Sequence, residues 1–281
     1  MTVILPSPYN LILPIVGLAF LGIAHGSLDH RLNPKNQYSI RFYLKYIFGV
    51  VLFLTLWILT PFLALFGFVC MSADHVGECQ FIDVIKSSPN SARTLWLARI
   101  WGLSATLFSQ LVHWDQTTPI LEALSQSHFF TNWPVAVSLI SAVILGLLGL
   151  IAAGILDRDS AEHLNRPGVA LPGTILLFIF FFLTPMIPGF LTFFCFWHSW
   201  DSVQQQRQAN GWSGIEYLKL AAPLTALALV GLTCVFWYLS KTGFSERALS
   251  SLFIFLGALT FSHTEVMRDF YFTKKIKGSS F

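Results

Sequence analysis

The stretch "GIAHGSLDH", residues 22–30, sets His25, Asp29 and His30 at the end of an apolar run. Three more histidines stand in similar surroundings: His75 in "MSADHVGE", His198 in "FCFWHSWDS" and His263 in "LTFSHTEVM". Imidazole ligates transition metals, and a nitrogen-only set suits iron, copper, zinc or nickel. Asp29, Asp74 and Glu265 lie close in sequence to three of these histidines. Such carboxylates commonly hold a ligating imidazole by its second nitrogen. Taken singly, each histidine also reads as a polar end-piece of a helix. The case for a metal depends on what the rest of the chain does with them.

The rest of the chain is greasy. Of 281 residues, 54% are hydrophobic and only 11% charged, with 27 Phe and 9 Trp. Soluble domains carry about 25% charged residues. Too few polar groups remain to coat a soluble globule, so the composition implies an integral membrane protein. The net charge of +3 is small and its basic residues are dispersed, which argues against a nucleic-acid partner. The four cysteines, Cys70, Cys79, Cys195 and Cys234, have no metal-ligand spacing and read as free apolar thiols. The N-terminal stretch lacks a basic region and a small-residue cleavage site, so its apolar run reads as a retained helix rather than a signal peptide.

Apolar segments fall near 10–27, 42–75, 94–112, 134–156, 168–200, 217–239 and 249–272. Most suit one helical pass of about 20 residues. The runs 42–75 and 168–200 are too long: as straight helices each would reach about 50 Å, against a hydrocarbon core of about 30 Å. Pro61 interrupts the first, and Pro185 and Pro188 the second. Each run is therefore one bent pass or a hairpin of two short ones, with arms of about 15 residues.

Charge separates the two cases, because Lys and Arg collect in cytoplasmic loops. With both runs as hairpins there are nine passes with the N-terminus outside, and all the Lys and Arg except Lys241 and Arg247 lie at one face. With seven passes that asymmetry is largely lost. The expected fold is thus all-α: a polytopic membrane helical bundle of about 7–9 spanning or partly spanning helices, with Pro-broken hairpins near Pro61 and Pro185, forming a single domain over 1–281. The nine-pass arrangement puts His25, His75, His198 and His263 toward the cytoplasmic face and His113 and His128 at the other, with His163 in a loop. Ionisable groups at membrane depth are costly and usually functional. Shared depth favours one metal.

The motifs carry a resemblance. "GIAHGSLDHRL" resembles the opening signature of the Brp/Blh family of membrane β-carotene dioxygenases, Gly-x-x-His-Gly-x-x-Asp-His. "LWILTPFLALFGFVCMSADHVGE" resembles its second block, "PMIPGFLTFFCFWHSWDS" its third and "ALTFSHTEVM" its C-terminal block. "RIWGLSATLFSQLVHWDQTTPILEAL" is similar to a looser middle block containing His113. The blocks keep family order over residues 20–270.

The resemblance implies a multi-pass helical enzyme of the cell membrane. Non-haem Fe(II) and O₂ would split the central double bond of β-carotene into two retinals. His25, His75 and His198 carry over as iron ligands. The family's Trp-His-Ser-x-x-x-His continues to a further histidine, but this chain has Ser202 there; His263 is the candidate that completes the set. The second block also reads His-Val-Gly where His-Phe-Gly is usual. Asp29 is the expected partner of a ligating imidazole, and His30 orders Asp29 or reaches the metal from its loop. A C40 polyene dissolves only in a membrane, which suits a metal at membrane depth. Phe193, Phe194, Phe196, Trp197 and Trp200 suit a long apolar tunnel. The implied partners are the carotenoid, O₂, the bilayer and a rhodopsin accepting retinal.

Three other readings compete. "HGSLDH" is similar to a histidine box of membrane di-iron desaturases and hydroxylases, but no second box follows. Another membrane metal-dependent oxidase or a bis-histidine haem protein would use the same histidines. A transporter-like carrier would use the helix breaks at Pro61 and Pro185 and need no metal.

Overall fold

The computed structural model describes residues 16–33, 39–164, 167–240 and 246–273. Outside them lie residues 10–15 of the first apolar stretch and, from the charge count, Lys35, Arg166, Lys241, Lys274, Lys275 and Lys277. Among the described residues the regular structure is entirely helical. After a π-helical turn (Leu18–Gly22) and a 3₁₀ turn (Ala24–Gly26) come α1 (Asp29–Leu32), α2 (Ile40–Leu59), α3 (Pro61–Ser87), α4 (Ser91–Val112), α5 (Trp114–Ser125), α6 (Val135–Leu164), α7 (Ala170–Leu183) and α8 (Met186–Thr192). A second π-helical stretch (Phe193–Ser199) leads into α9 (Trp200–Asn210), α10 (Gly214–Ser240) and α11 (Glu246–Thr273). Five of these, α2, α3, α4, α6 and the Gly214–Cys234 part of α10, are long and apolar enough to cross a membrane, and α7 is a shorter apolar helix. The chain is a helical membrane bundle, as expected.

Both expected breaks are present, and proline explains each. The residue before a proline is pushed out of the α region. Thr60 has φ −143° and ψ 68° between α2 and α3, and Thr184 has φ −112° and ψ 135° after α7. The arms around Pro61 are longer than expected, at 20 and 27 residues. Hydropathy stops near His75, but the helix does not: α3 runs on to a kink at Phe81, and a second helical piece reaches Ser87. His75 therefore lies inside a helix rather than at its end.

Local chemistry sets several other ends. Ser39 and Asn90 accept the amides of Phe42 and Arg93 at the starts of α2 and α4. Ser213 and Glu216 exchange side-chain-to-amide bonds of 3.2 and 2.7 Å, a capping box that opens α10. Gly211, with φ 71°, closes α9 in the left-handed conformation that glycine adopts without strain.

The chain divides into two units. The described part of the first lies in Val69–Pro119 and His128–Phe194. Here α3 and α4 approach backbone to backbone. A Cβ on Gly77 would stand 2.1 Å from the Ala98 carbonyl oxygen, and one on Gly102 2.0 Å from that of Ala73. Small residues allow such close crossings between membrane helices. The Trp101 indole donates to Thr174 Oγ1 at 2.7 Å, tying α4 to α7. Ser104 donates to the Leu145 carbonyl at 2.8 Å, tying α4 to α6. Asp157 accepts the amides of Ala170 and Leu171 at 2.8 Å each and so caps α7 from a distance. In α3, Phe81 leaves helical geometry (φ −119°, ψ 19°), its ring edge-on to Trp101.

The described part of the second unit lies in Ile15–Phe68, Ile120–Ser127 and Cys195–Phe281. Its α2 lies along α11. Gly49 permits the contact: a Cβ there would meet Ser262 Oγ at 2.5 Å. The Ser262 hydroxyl donates to the Tyr46 carbonyl at 2.8 Å, and Lys45 pairs with Glu265 near the surface. The Trp57 indole donates to the Leu124 carbonyl at 3.0 Å.

Candidate metal centre

Two of the three irregular helical stretches deliver histidines. His25 sits on the 3₁₀ turn two residues beyond the first π-helical turn, and His198 lies within the second π-helical stretch. Extra residues in a helix redirect the side chains that follow, and π-bulges recur at functional sites. His263 comes from the regular helix α11.

Within the second unit these three imidazoles are buried together. The His25 and His263 ring centroids are 4.8 Å apart at 89°, and those of His25 and His198 are 5.6 Å apart at 82°. The ligating nitrogens of His25 and His263 lie within 4.8 Å of one another. Gly26 packs on the cluster, its α-carbon side facing the His263 ring.

Hydrogen bonds fix the rings. His25 Nδ1 lies 2.6 Å from the Gly22 carbonyl, which accepts its proton. His263 Nδ1 donates to the buried Asp29 carboxylate, at 2.8 Å from Oδ1 and 3.0 Å from Oδ2. Tyr46 donates to Asp29 Oδ2 at 3.1 Å. A proton held on Nδ1 makes Nε2 the basic nitrogen of both rings. That is the tautomer metal-ligating histidines adopt when a carbonyl or carboxylate holds the other nitrogen. The donor set, imidazole nitrogens buried from water, fits a transition metal such as Fe(II).

Asp29 thus partners an imidazole, that of His263, far away in sequence. The other two carboxylates noted beside histidines have different contacts: Asp74 pairs with Arg99, and Glu265 with Lys45. His30 is half-buried, accepts from Arg31 Nε at 3.2 Å, and lies near the Tyr43 ring. Burial, and then the Arg31 charge, lower its pKa. His75 is buried on α3 in the first unit. His113, expected to stand apart from the metal, donates from Nε2 to the Phe181 carbonyl at 2.8 Å. The residue four on from Phe181 is Pro185, which has no N–H to offer that carbonyl. Of the five aromatics around His198, Phe193 is buried, whereas Phe196 and Trp200 are exposed.

Sequence reasoning missed several buried polar groups. Glu78 and Asp201 are both buried and stand three residues after His75 and His198. That recurrent offset of a carboxylate after a histidine was the available signal. Asp201 accepts from Gln205 Nε2 at 3.0 Å. Ser202, where the resemblance implies a histidine, is fully buried and accepts from Gln206 Nε2 at 3.2 Å.

The family model for β-carotene 15,15'-dioxygenase matches residues 16–271. A curated relative, the β-carotene 15,15'-dioxygenase of uncultured marine bacterium 66A03, is 26% identical over 283 aligned positions, covering 91% of each chain. No solved structure matches. The matched span contains all four histidine blocks, and the chain belongs to the β-carotene 15,15'-dioxygenase family.

Proposed function

We propose that this protein cleaves the central double bond of β-carotene, or a related carotenoid, with O₂ to give retinal. The site is a non-haem Fe(II) held by His25, His198, His263 and His75. The observation that carries this reading is the buried trio of His25, His198 and His263, with Asp29 and the Gly22 carbonyl holding Nδ1 protons in a family member. His75 is assigned on its motif. Bound iron supplies the redox chemistry that lets O₂ react with an alkene.

The chain's own residues do the rest. Asp29 holds the His263 ring in one tautomer and one orientation. Tyr46 holds Asp29 in turn. Burial of the imidazoles keeps water from them, and the membrane delivers a polyene that water cannot dissolve. The cytoplasmic membrane is the location that fits the charge pattern, and a rhodopsin is the acceptor that fits a retinal product.

The test is expression in cells that accumulate β-carotene. Bleaching with retinal as the product supports both reaction and bond position. Longer apocarotenals would move the cleaved bond. Intact carotene, despite good expression and iron supply, would refute the reading.

A further inference from the structure

The carbonyls around His25 are held by side chains that no motif of the sequence contains. Gln206 of α9 is fully buried, and its Nε2 donates to the His25 carbonyl at 2.8 Å. The same amide reaches Ser202 Oγ at 3.2 Å and Met267 Sδ at 3.7 Å. Met267 lies one turn beyond His263 on α11. Tyr217 of α10, also buried, places its hydroxyl 3.1 Å from the Ala24 carbonyl and 3.2 Å from Gln206 Oε1, so one proton faces two acceptors. Ala24, Leu28, Val203, Tyr217 and Ala221 form the apolar packing around this network.

We infer that Gln206 and Tyr217 are positioning residues for the first metal ligand, acting through the backbone of the Ala24–Gly26 turn. The inference rests on the iron-site reading above. The physical reason is the way His25 is held. Its Nδ1 is already committed to Gly22 within the same irregular segment, so the direction of Nε2 follows the pitch of the turn. A 3₁₀ turn after a π-helical turn lacks the regular i→i−4 ladder that would fix that pitch. Gln206 and Tyr217 supply donors to two successive carbonyls there, from two different helices. The Ala24 carbonyl also accepts the Ser27 amide at 3.1 Å, so Tyr217 adds a second donor there, while Gln206 braces the next carbonyl from a different helix. Ser202 takes part through its hydroxyl, an acceptor that helps orient the Gln206 amide.

The test uses the full chain in detergent micelles, with Co(II) as a spectroscopic stand-in for Fe(II). Tyr217→Phe removes only a hydroxyl, and Gln206→Met keeps the length while removing the amide. Both are expected to weaken Co(II) affinity about 10- to 100-fold, the usual cost of losing a partner that orients a ligand. The ligand-field absorption bands should shift in whatever metal-loaded fraction remains. Trp57→Phe, which loses an indole bond to Leu124 in the same unit, should lower thermal stability while leaving affinity and spectrum unchanged. Folded Tyr217→Phe and Gln206→Met proteins with wild-type affinity and spectrum would overturn the inference. If Gln206→Met does not fold, Tyr217→Phe alone decides. A wild-type chain that binds no Co(II) or Fe(II) would instead overturn the iron-site reading, and this inference with it.

Discussion

Asp29 and His263 stand 234 positions apart in the chain and meet side chain to side chain, with Nδ1 2.8 Å from Oδ1. Both are buried, and Tyr46 braces the carboxylate from α2. The contact joins the opening "HGSLDH" motif to the last helix and fixes which nitrogen of His263 is basic.

Asp29→Asn keeps the size of the side chain but weakens its hold on the Nδ1 proton. Fe(II) affinity is expected to fall about 10- to 100-fold, with the fold retained. Anaerobic Fe(II) titration of the purified protein checks this. Unchanged affinity would remove Asp29 from the site.

His113→Ala should leave iron content at the wild-type level. It strips the Phe181 carbonyl of its donor and should cost about 1–3 kcal/mol of stability. Iron content and thermal unfolding, measured on the same preparation, separate the two effects.

Ser202→Ala removes one acceptor from the Gln206 amide and should cost about 0.5–1.5 kcal/mol. Iron stoichiometry should not change, because the hydroxyl is engaged by the Gln206 amide. Loss of the metal in this variant would mean that Ser202 ligates it.

Gly102→Ala drives a methyl group into the Ala73 carbonyl, where α3 and α4 cross. Overpacking of this kind costs about 1–3 kcal/mol. A lowered unfolding midpoint is expected. It should come with reduced iron retention if the displaced α3 carries a ligand, His75.

The parts of this fold that sequence reveals are those with local causes. Pro61 and Pro185 act on the residues just before them, so both breaks could be located in advance. His25, His198 and His263 were visible because ionisable groups are rare in apolar runs. The extent of α3 was not, because hydropathy reports solvent preference rather than hydrogen bonding, and helix continues past His75, through a kink at Phe81, to Ser87. The Asp29–His263 pair was half legible: an imidazole partner for the carboxylate could be anticipated, but which imidazole depends on tertiary packing. Gln206 and Tyr217 left no signal. A glutamine in "VQQQRQ" and a tyrosine in "GIEYLKL" look like solvent-facing residues until α9 and α10 close on the Ala24–Gly26 turn.

The most direct measurement is the iron content and X-ray absorption spectrum of the wild-type chain purified anaerobically, beside single alanine variants of His25, His75, His198 and His263. Expected is one iron per chain in a shell dominated by imidazole nitrogen, depleted in each variant. A folded wild-type protein without iron, or one whose iron survives the loss of His25, His198 and His263 in turn, would contradict the proposed centre.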